Sequence, residues 1–327
     1  MIYPAFLKRN DTIGITAPSA GVGRKLDDYC ASIKVLHSQG YKTMETPDVR
    51  INDQRAADAE TRAEELKSLY LDPEVDMVMC AAGGDFMNEI LPYVDFRAIQ
   101  KHPKWTMGAS DPTSLLYPLT TRYDIATLYG MNAGAFDPGT DFQFIKDSLS
   151  LLKGKKIIQH SSKYCQRQPS WEADHLELND PSEWKSNVSR LNVKGRAVGG
   201  CLDVLKDLFG TPCDGTSRFI KKYSEDGFIW FLDVFGMSAE NVYRTLCQMR
   251  FAGYLNHAKA VVVGRVLLQS SETGMDYEEA VTRALPGIPA VMEADIGHTD
   301  PCMTLILGSI ATLHYQNGEG SLKFSLD

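Results

Sequence analysis

From residue 11 to residue 116 the chain repeats one pattern, a short apolar run followed by a longer stretch whose apolar residues recur at helical spacing. Residues 11–17 are β-rich and end at Pro18-Ser19; residues 25–39 have helical spacing, and Gly40 stops them. Residues 42–45 read as a second strand. Residues 55–70 read as a polar helix with Ala57, Ala63, Leu66 and Leu69 on one face, and residues 75–82 as an apolar strand closed by Gly83-Gly84. A helix over residues 88–100 and a strand over 105–107 follow. Such alternation predicts a mostly parallel sheet with helices on both faces. In open sheets of this kind ligands collect beyond the carboxyl ends of the strands, where Gly83-Gly84 and Ser110 both fall.

Residues 104–116, Lys-Trp-Thr-Met-Gly-Ala-Ser-Asp-Pro-Thr-Ser-Leu-Leu, read as a strand, a sharp turn and a helix start. Gly108 permits tight backbone geometry, and Asp111 with Pro112 is a helix-entry signal, so Ser110 should project from a helix's first turn. Unpaired N–H groups and the positive dipole end there favour an alkoxide or the oxyanion it creates. The geometry is that of a nucleophile elbow, but the second glycine of G-x-S-x-G is missing. A Ser-Asp pair before a helix is also an ordinary cap. Gly83-Gly84 is similarly open, either a tight turn or a backbone able to approach a ligand and donate N–H bonds. No G-x-G-x-x-G opens a helix, so the dinucleotide fingerprint is absent.

At 327 residues two domains are expected. A net charge of -8 argues against nucleic acid or an anionic membrane as partner and leaves small molecules and peptides. Cys30, Cys80, Cys165, Cys201, Cys213, Cys247 and Cys302 show no C-x-x-C spacing, which opposes a zinc site or a disulfide framework and predicts reduced thiols. The apolar run in residues 1–15 is too short for a secretory signal, and no stretch of apolar residues is long enough to span a bilayer, so the expected location is the cytoplasm.

After Gly130 the pattern weakens to a helix at 142–152 and a polar stretch at 161–194 with Pro169, Trp171, Pro181 and Trp184, read as a linker or a functional lid. A second unit begins at Gly195, with helices at 202–209, 238–253 and 276–285. Its strands are expected at 228–234, 258–266, 289–292, 303–310 and 312–315. Asp233 stands near a strand end, and His298 follows a glycine in a loop. Ser110, Asp233 and His298 thus supply a serine, a carboxylate and a histidine from separate loops, the set that acyl transfer requires. Asp233 is alternatively a cap or a partner of Arg244, and Arg244 and Arg265 are each a carboxylate clamp or a structural ion-pair partner. A mononuclear metal site from Glu293, Asp295, His298 and Asp300 competes, without H-E-x-x-H spacing to support it.

The joint pattern resembles the serine peptidases that comprise the LD-carboxypeptidases of murein recycling and the microcin C immunity peptidases. The resemblance runs through Ile15-Thr-Ala-Pro-Ser19, Gly83-Gly84, Glu89-Ile-Leu-Pro-Tyr-Val-Asp95, Pro103-Lys104 and Gly108-Ala-Ser-Asp111. It continues through Gly200 to Gly210-Thr211, Phe231-Leu-Asp233 with Arg244, and Gly297-His298-Thr299. It implies Ser110 as nucleophile, His298 as general base and then acid, Asp233 as the orienting carboxylate, and an oxyanion hole from N–H groups near Gly84 and of Asp111. It further implies a homodimer and no cofactor or metal. Aspartate at 233 replaces the usual glutamate, and Ala109 and Pro112 replace bulkier residues.

The resulting expectation is an α/β chain with a parallel-sheet, flavodoxin-like nucleophile domain over residues 1–160, a linker or lid at 161–194, and a smaller β-rich α/β domain over 195–327. The expected activity is release of a C-terminal residue from murein-type peptides through an acyl-enzyme. The alternatives are cleavage of a peptidyl-nucleotide's acyl linkage, for which an indole of the 161–194 stretch could stack on the base, and a non-catalytic binding homologue.

Overall fold

In a computed structural model, which describes residues 1–169 and 175–326, the chain forms two compact units, Met1–Lys155 and Lys156–Asp327. The first contains β1 (Thr12–Thr16), α1 (Leu26–Ser38), β2 (Lys42–Glu45), α2 (Ala59–Leu71) and β3 (Met77–Cys80). It continues with α3 (Phe96–Lys101), β4 (Trp105–Gly108), α4 (Thr113–Thr121), β5 (Thr127–Tyr129) and α5 (Gln143–Leu152). The five strands pair in parallel in the order β2-β1-β3-β4-β5. This is the flavodoxin-like order, whose switch point lies between β1 and β3. β3 and β4 are buried along their whole length, as strands covered on both faces must be.

Two local expectations shift. Helix α2 starts at Ala59 because Asp58 caps it, accepting from the Thr61 N–H at 2.9 Å. The helix expected over 88–100 is broken into a 3-10 turn, Met87–Ile90, and α3, which Asp95 caps through the Ala98 N–H. Pro92, which has no N–H to donate, falls between the two pieces.

The second unit contains β6 (Ile158–His160), β7 (Tyr164–Cys165), β8 (Asp180–Pro181), β9 (Lys185–Ser186), β10 (Arg190–Cys201), α6 (Leu202–Leu208), α7 (Thr216–Lys222) and β11 (Phe228–Asp233). After these come α8 (Ala239–Phe251), β12 (Ala258–Gly264), α9 (Tyr277–Ala284), β13 (Ala290–Ala294), β14 (Leu305–Leu307), β15 (Ile310–Gln316) and β16 (Glu319–Ser325). An eight-stranded sheet runs β6-β16-β15-β10-β11-β12-β13-β9. Its centre, β10 to β13, is parallel, and its flanks are antiparallel. Every residue of β11 is buried, Trp230 and Phe231 completely. Each such side chain contributes roughly 1.5–3 kcal/mol of burial.

Residues 161–194 do not separate the two units. The unit boundary falls at Lys155, and the stretch contributes β7, β8, β9 and the start of β10 to the second unit, which is therefore the longer of the two. Trp184 is fully buried and donates its indole N–H to Asp295 at 2.8 Å, so it offers no face to a ligand. Trp171 lies outside the described residues. Among the described residues no helix is long and apolar enough to cross a membrane.

Candidate active site

The loops after β1, β3 and β4 converge on Ser110. Ser110 has φ 69°, a left-handed backbone that costs a non-glycine residue about 1–3 kcal/mol and persists only where its surroundings impose it. Those surroundings are polar and specific. The Ser110 N–H donates to the Tyr129 hydroxyl at 3.1 Å, and the Ala109 N–H to Asn132 Oδ1 at 3.0 Å, so the segment at the end of β5 holds the turn from beyond. The cap reading fails, since no side chain caps α4. The Asp111 carboxylate instead accepts from the Ser19 hydroxyl and, at 2.7 Å, from the Met87 N–H, joining the β1, β3 and β4 loops. Burial raises the Asp111 pKa against the lowering effect of those two bonds, and nearby Asp85 raises it further.

Gly83 and Gly84 sit against this turn, as their strand-end positions predict. A Cβ on Gly83 would lie 3.0 Å from Ser110 Cβ, and one on Gly84 would lie 2.3 Å from Ser19 Oγ; Gly84 also has φ 146°. Only glycine fits at 84. The N–H groups of Gly84 and Asp111 meet no acceptor among the described residues.

The loop 83–89 is tied down by a residue that hydropathy reading passes over. Arg62 of α2 is fully buried and donates to Pro18 O at 3.0 Å, Phe86 O at 3.1 Å and Glu89 Oε2 at 2.8 Å. Arg55 shares Glu89 at 2.7 Å and covers the Phe86 ring.

In the second unit, the carboxyl ends of the four parallel strands gather the other candidates. Asp233, the last residue of β11, is 1% exposed and holds His298 Nδ1 at 2.8 Å through Oδ2. The short side chain therefore reaches the ring without the missing methylene. Gly297 allows it: a Cβ there would lie 1.9 Å from Asp233 Oδ1, and its φ is 97°. Phe235 packs against the imidazole at 4.8 Å between ring centres. Burial lowers the His298 pKa, but the charge and hydrogen bond of Asp233, with Asp203 behind it, outweigh this and the net shift is upward. Asp203 also accepts from the Phe235 and Gly236 N–H groups at 2.9 and 3.0 Å, fixing the turn after Asp233.

Arg265, which follows β12, is fully buried and holds the histidine loop. It donates to Asp295 Oδ1 at 2.5 Å, Thr299 Oγ1 at 3.0 Å, Pro301 O at 2.8 Å and Ser182 Oγ at 3.2 Å. It is thus a structural ion-pair partner, while Arg244 is exposed on α8. The competing metal cluster does not assemble. Asp295 is engaged by Arg265, Trp184 and the Ser162 N–H, and Glu293 by Arg167. Among the described residues the set with metal-ligand spacing is Cys201, Asp233 and His298.

The first unit carries a left-handed serine at a strand-to-helix turn, and the second a carboxylate-bound histidine at another set of strand ends. The family model described as the LD-carboxypeptidase N-terminal domain matches residues 13–130, and its C-terminal counterpart matches residues 194–313. The chain belongs to the LD-carboxypeptidase family. Microcin C7 self-immunity protein MccF of Escherichia coli is 25% identical over 97% of this chain and 94% of its own. A wild-type MccF structure superposes with a TM-score of 0.83 at 23% identity, covering 100% of this chain and 99% of that one. The muramoyltetrapeptide carboxypeptidase of Oxalobacter formigenes gives 0.74 at 24% identity, over 96% and 98%.

Proposed function

We propose that the protein is a serine-type carboxypeptidase that releases the C-terminal residue of murein-type peptides through an acyl-enzyme, without a cofactor. Ser110 Oγ attacks the scissile carbonyl, and His298 Nε2 takes its proton and then returns it to the leaving amine. Asp233 holds the Nδ1–H and stabilises the imidazolium. The N–H groups of Gly84 and Asp111 receive the oxyanion, a contribution typically worth 10²–10³ in rate per donor. Water, activated by the same histidine, releases the acyl group. The observation that carries this reading is the left-handed backbone at Ser110, imposed by Tyr129, Asn132 and the packed glycines rather than by any capping role.

The 2.8 Å contact between Asp233 and His298 argues against the binding-homologue alternative, in which the shorter carboxylate does not support chemistry. Cleavage of a peptidyl-nucleotide's acyl linkage is the second reading, favoured by the match to MccF, whose solved structures include complexes with glutamyl sulfamoyl guanosine and aspartyl sulfamoyl adenosine. The buried Trp184 supplies no stacking surface for it. All seven cysteines are free, which fits a reducing, cytoplasmic setting, and the family resemblance supports a homodimer.

A fluorophosphonate probe should label Ser110, located by peptide mapping, and mass spectrometry should show loss of the terminal residue from a murein tetrapeptide. Products only from an aminoacyl-nucleotide analogue would transfer the assignment to the second reading. A folded chain that neither labels nor cleaves either compound would overturn both.

A further inference from the structure

Strand pairing sets Cys201, the last residue of β10, directly beside Asp233, the last residue of β11. The Cys201 thiol sulfur, a carboxylate oxygen of Asp233 and a ring nitrogen of His298 all lie within 4.8 Å of one another. Cys201 and Asp233 are each 1% exposed, whereas the His298 side chain is 17% exposed and so forms the outer wall of the group. The acyl-transfer chemistry proposed above has no use for this thiol.

We propose that Cys201, Asp233 and His298 form a binding site for a thiophilic divalent cation of the zinc class, and that the bound ion inhibits the hydrolase by occupying its histidine. The inhibitory half rests on the proposed function; the binding half does not. Sulfur, nitrogen and oxygen donors in one set of three suit zinc, which commonly takes three protein ligands and leaves a fourth position for water. A thiolate and the Asp233 carboxylate neutralise the dication, and a neutral imidazole completes the set. Asp203 borders it: its carboxylate accepts from the Phe235 and Gly236 N–H groups, and its Oδ2 receives the Cys201 thiol at 3.8 Å, a contact that the metal bond replaces.

Zinc bonds of about 2.0–2.3 Å place donors roughly 3.5 Å apart, wider than the 2.8 Å between Asp233 Oδ2 and His298 Nδ1. Asp233 is fixed by its strand, so the readjustment falls to the His298 loop, which turns at Gly297. Coordination replaces the S–H bond by a sulfur–metal bond and releases the thiol proton to solvent. With the ion on Nδ1, the nitrogen that faces Asp233, the neutral ring keeps its proton on Nε2, which then cannot accept the serine proton, hence the inhibition.

The test uses the full chain in a buffer free of thiols. Zinc binding is followed by calorimetry, and cadmium binding by the ultraviolet charge-transfer band of a thiolate on cadmium. Wild type should show the band and a zinc site that inhibits reversibly, chelator restoring the rate. Cys201→Ala should lose that band component, the calorimetric site and the inhibition, each rate being normalised to the variant's own metal-free value. His298→Ala should lose the same binding site. If Cys201→Ala does not fold, Cys201→Ser preserves the shape and should still lose the cadmium band. Equal cadmium and zinc binding in wild type and the Cys201 variants would overturn the site. A chain that hydrolyses nothing yet binds cadmium through Cys201 retains the site and overturns the function alone.

Discussion

The turn that carries Ser110 and the loop that carries His298 are built to one plan with unequal materials. Each lies beyond the carboxyl ends of parallel strands, and each is gripped by one fully buried guanidinium, Arg62 in the first unit and Arg265 in the second. Arg265 uses Nε, Nη1 and Nη2, and its counter-ion Asp295 is itself buried, with a side chain 2% exposed. Arg62 leaves Nε without a partner, and its counter-ion Glu89 is 36% exposed and shared with Arg55. The difference follows from what each loop must hold. The serine turn has further supports in Asp111, Tyr129 and Asn132, whereas at the histidine loop Arg265 alone makes four hydrogen bonds. One half is tied by several separate groups; the other centres on one closed ion pair.

The sharpest way to break the pairing of the two halves is to remove the reacting group from each. Ser110→Ala and His298→Ala should each lower turnover by about 10⁴–10⁶, and the double variant should be little worse, because groups that act as a unit are not additive. Additive losses in a single-substrate assay would mean that the two halves do not share one reaction.

Next in size is the link inside the second half. Asp233→Asn should cost about 10⁴ in kcat, since an amide no longer fixes the Nδ1–H tautomer. Asp233→Glu should also fall, by about 10²-fold, because the carboxylate already reaches at 2.8 Å and Gly297 packs directly against it. An extra methylene has to displace the loop. A glutamate variant faster than wild type, with an unchanged circular dichroism spectrum, would show that the observed contact is not the productive one.

These two predictions concern residues that the chain announces. Ser110, Asp233 and His298 stand at the ends of apolar runs, and strand ends are where open α/β sheets place their chemistry. That the first sheet is parallel is likewise legible from alternation, though its strand order is not. What was not legible is what pairs across sequence distance. Tyr129 ends, and Asn132 follows, a three-residue strand too short to read, and β10 escapes the pattern, its residues 190–194 looking like polar linker. Arg62 and Arg265 escape a hydropathy pattern by construction, since a buried arginine registers as an exposed one until its partners are known. Cys201 has no ligand spacing along the chain, because its neighbours lie 32 and 97 positions away by residue number, one brought to it by strand pairing and the other by a loop.

The two clamps themselves give the third prediction. Arg265→Met strands the buried Asp295 carboxylate, and breaking a buried pair from one side costs about 3–5 kcal/mol. Arg62→Met leaves Glu89 with Arg55 and with water, so its cost should be about 1–3 kcal/mol, chiefly from the Pro18 and Phe86 carbonyls left unpaired. Urea unfolding of both variants checks the order. The double variant Arg265→Met/Asp295→Leu should recover part of the loss, because it removes the stranded charge. Equal destabilisation by the two arginine variants would erase the contrast between a closed and a screened ion pair.

The smallest expected effect is a displacement along the pH axis, and it distinguishes the two halves because only one contains the titrating base. The His298 pKa lies above the ordinary imidazole value of about 6.5, burial being outweighed by Asp233 and Asp203. A general base must be neutral to accept the serine proton, so kcat/KM should rise with pH along a limb whose midpoint lies above that value. Stability should run the opposite way. A group whose pKa is raised on folding contributes stability that is complete below its unfolded pKa and is lost as pH rises through the folded one. The second unit should therefore give up the protonated His298–Asp233 contribution over the same interval in which the enzyme gains its base. Asp233→Asn removes the carboxylate that raises the His298 pKa most and leaves burial, so the His298 resonance, followed by NMR, should titrate at lower pH than in wild type. An unmoved titration in a folded Asp233→Asn chain would mean that the carboxylate contact at His298 does not set the base, and the orienting role would pass to Asp203.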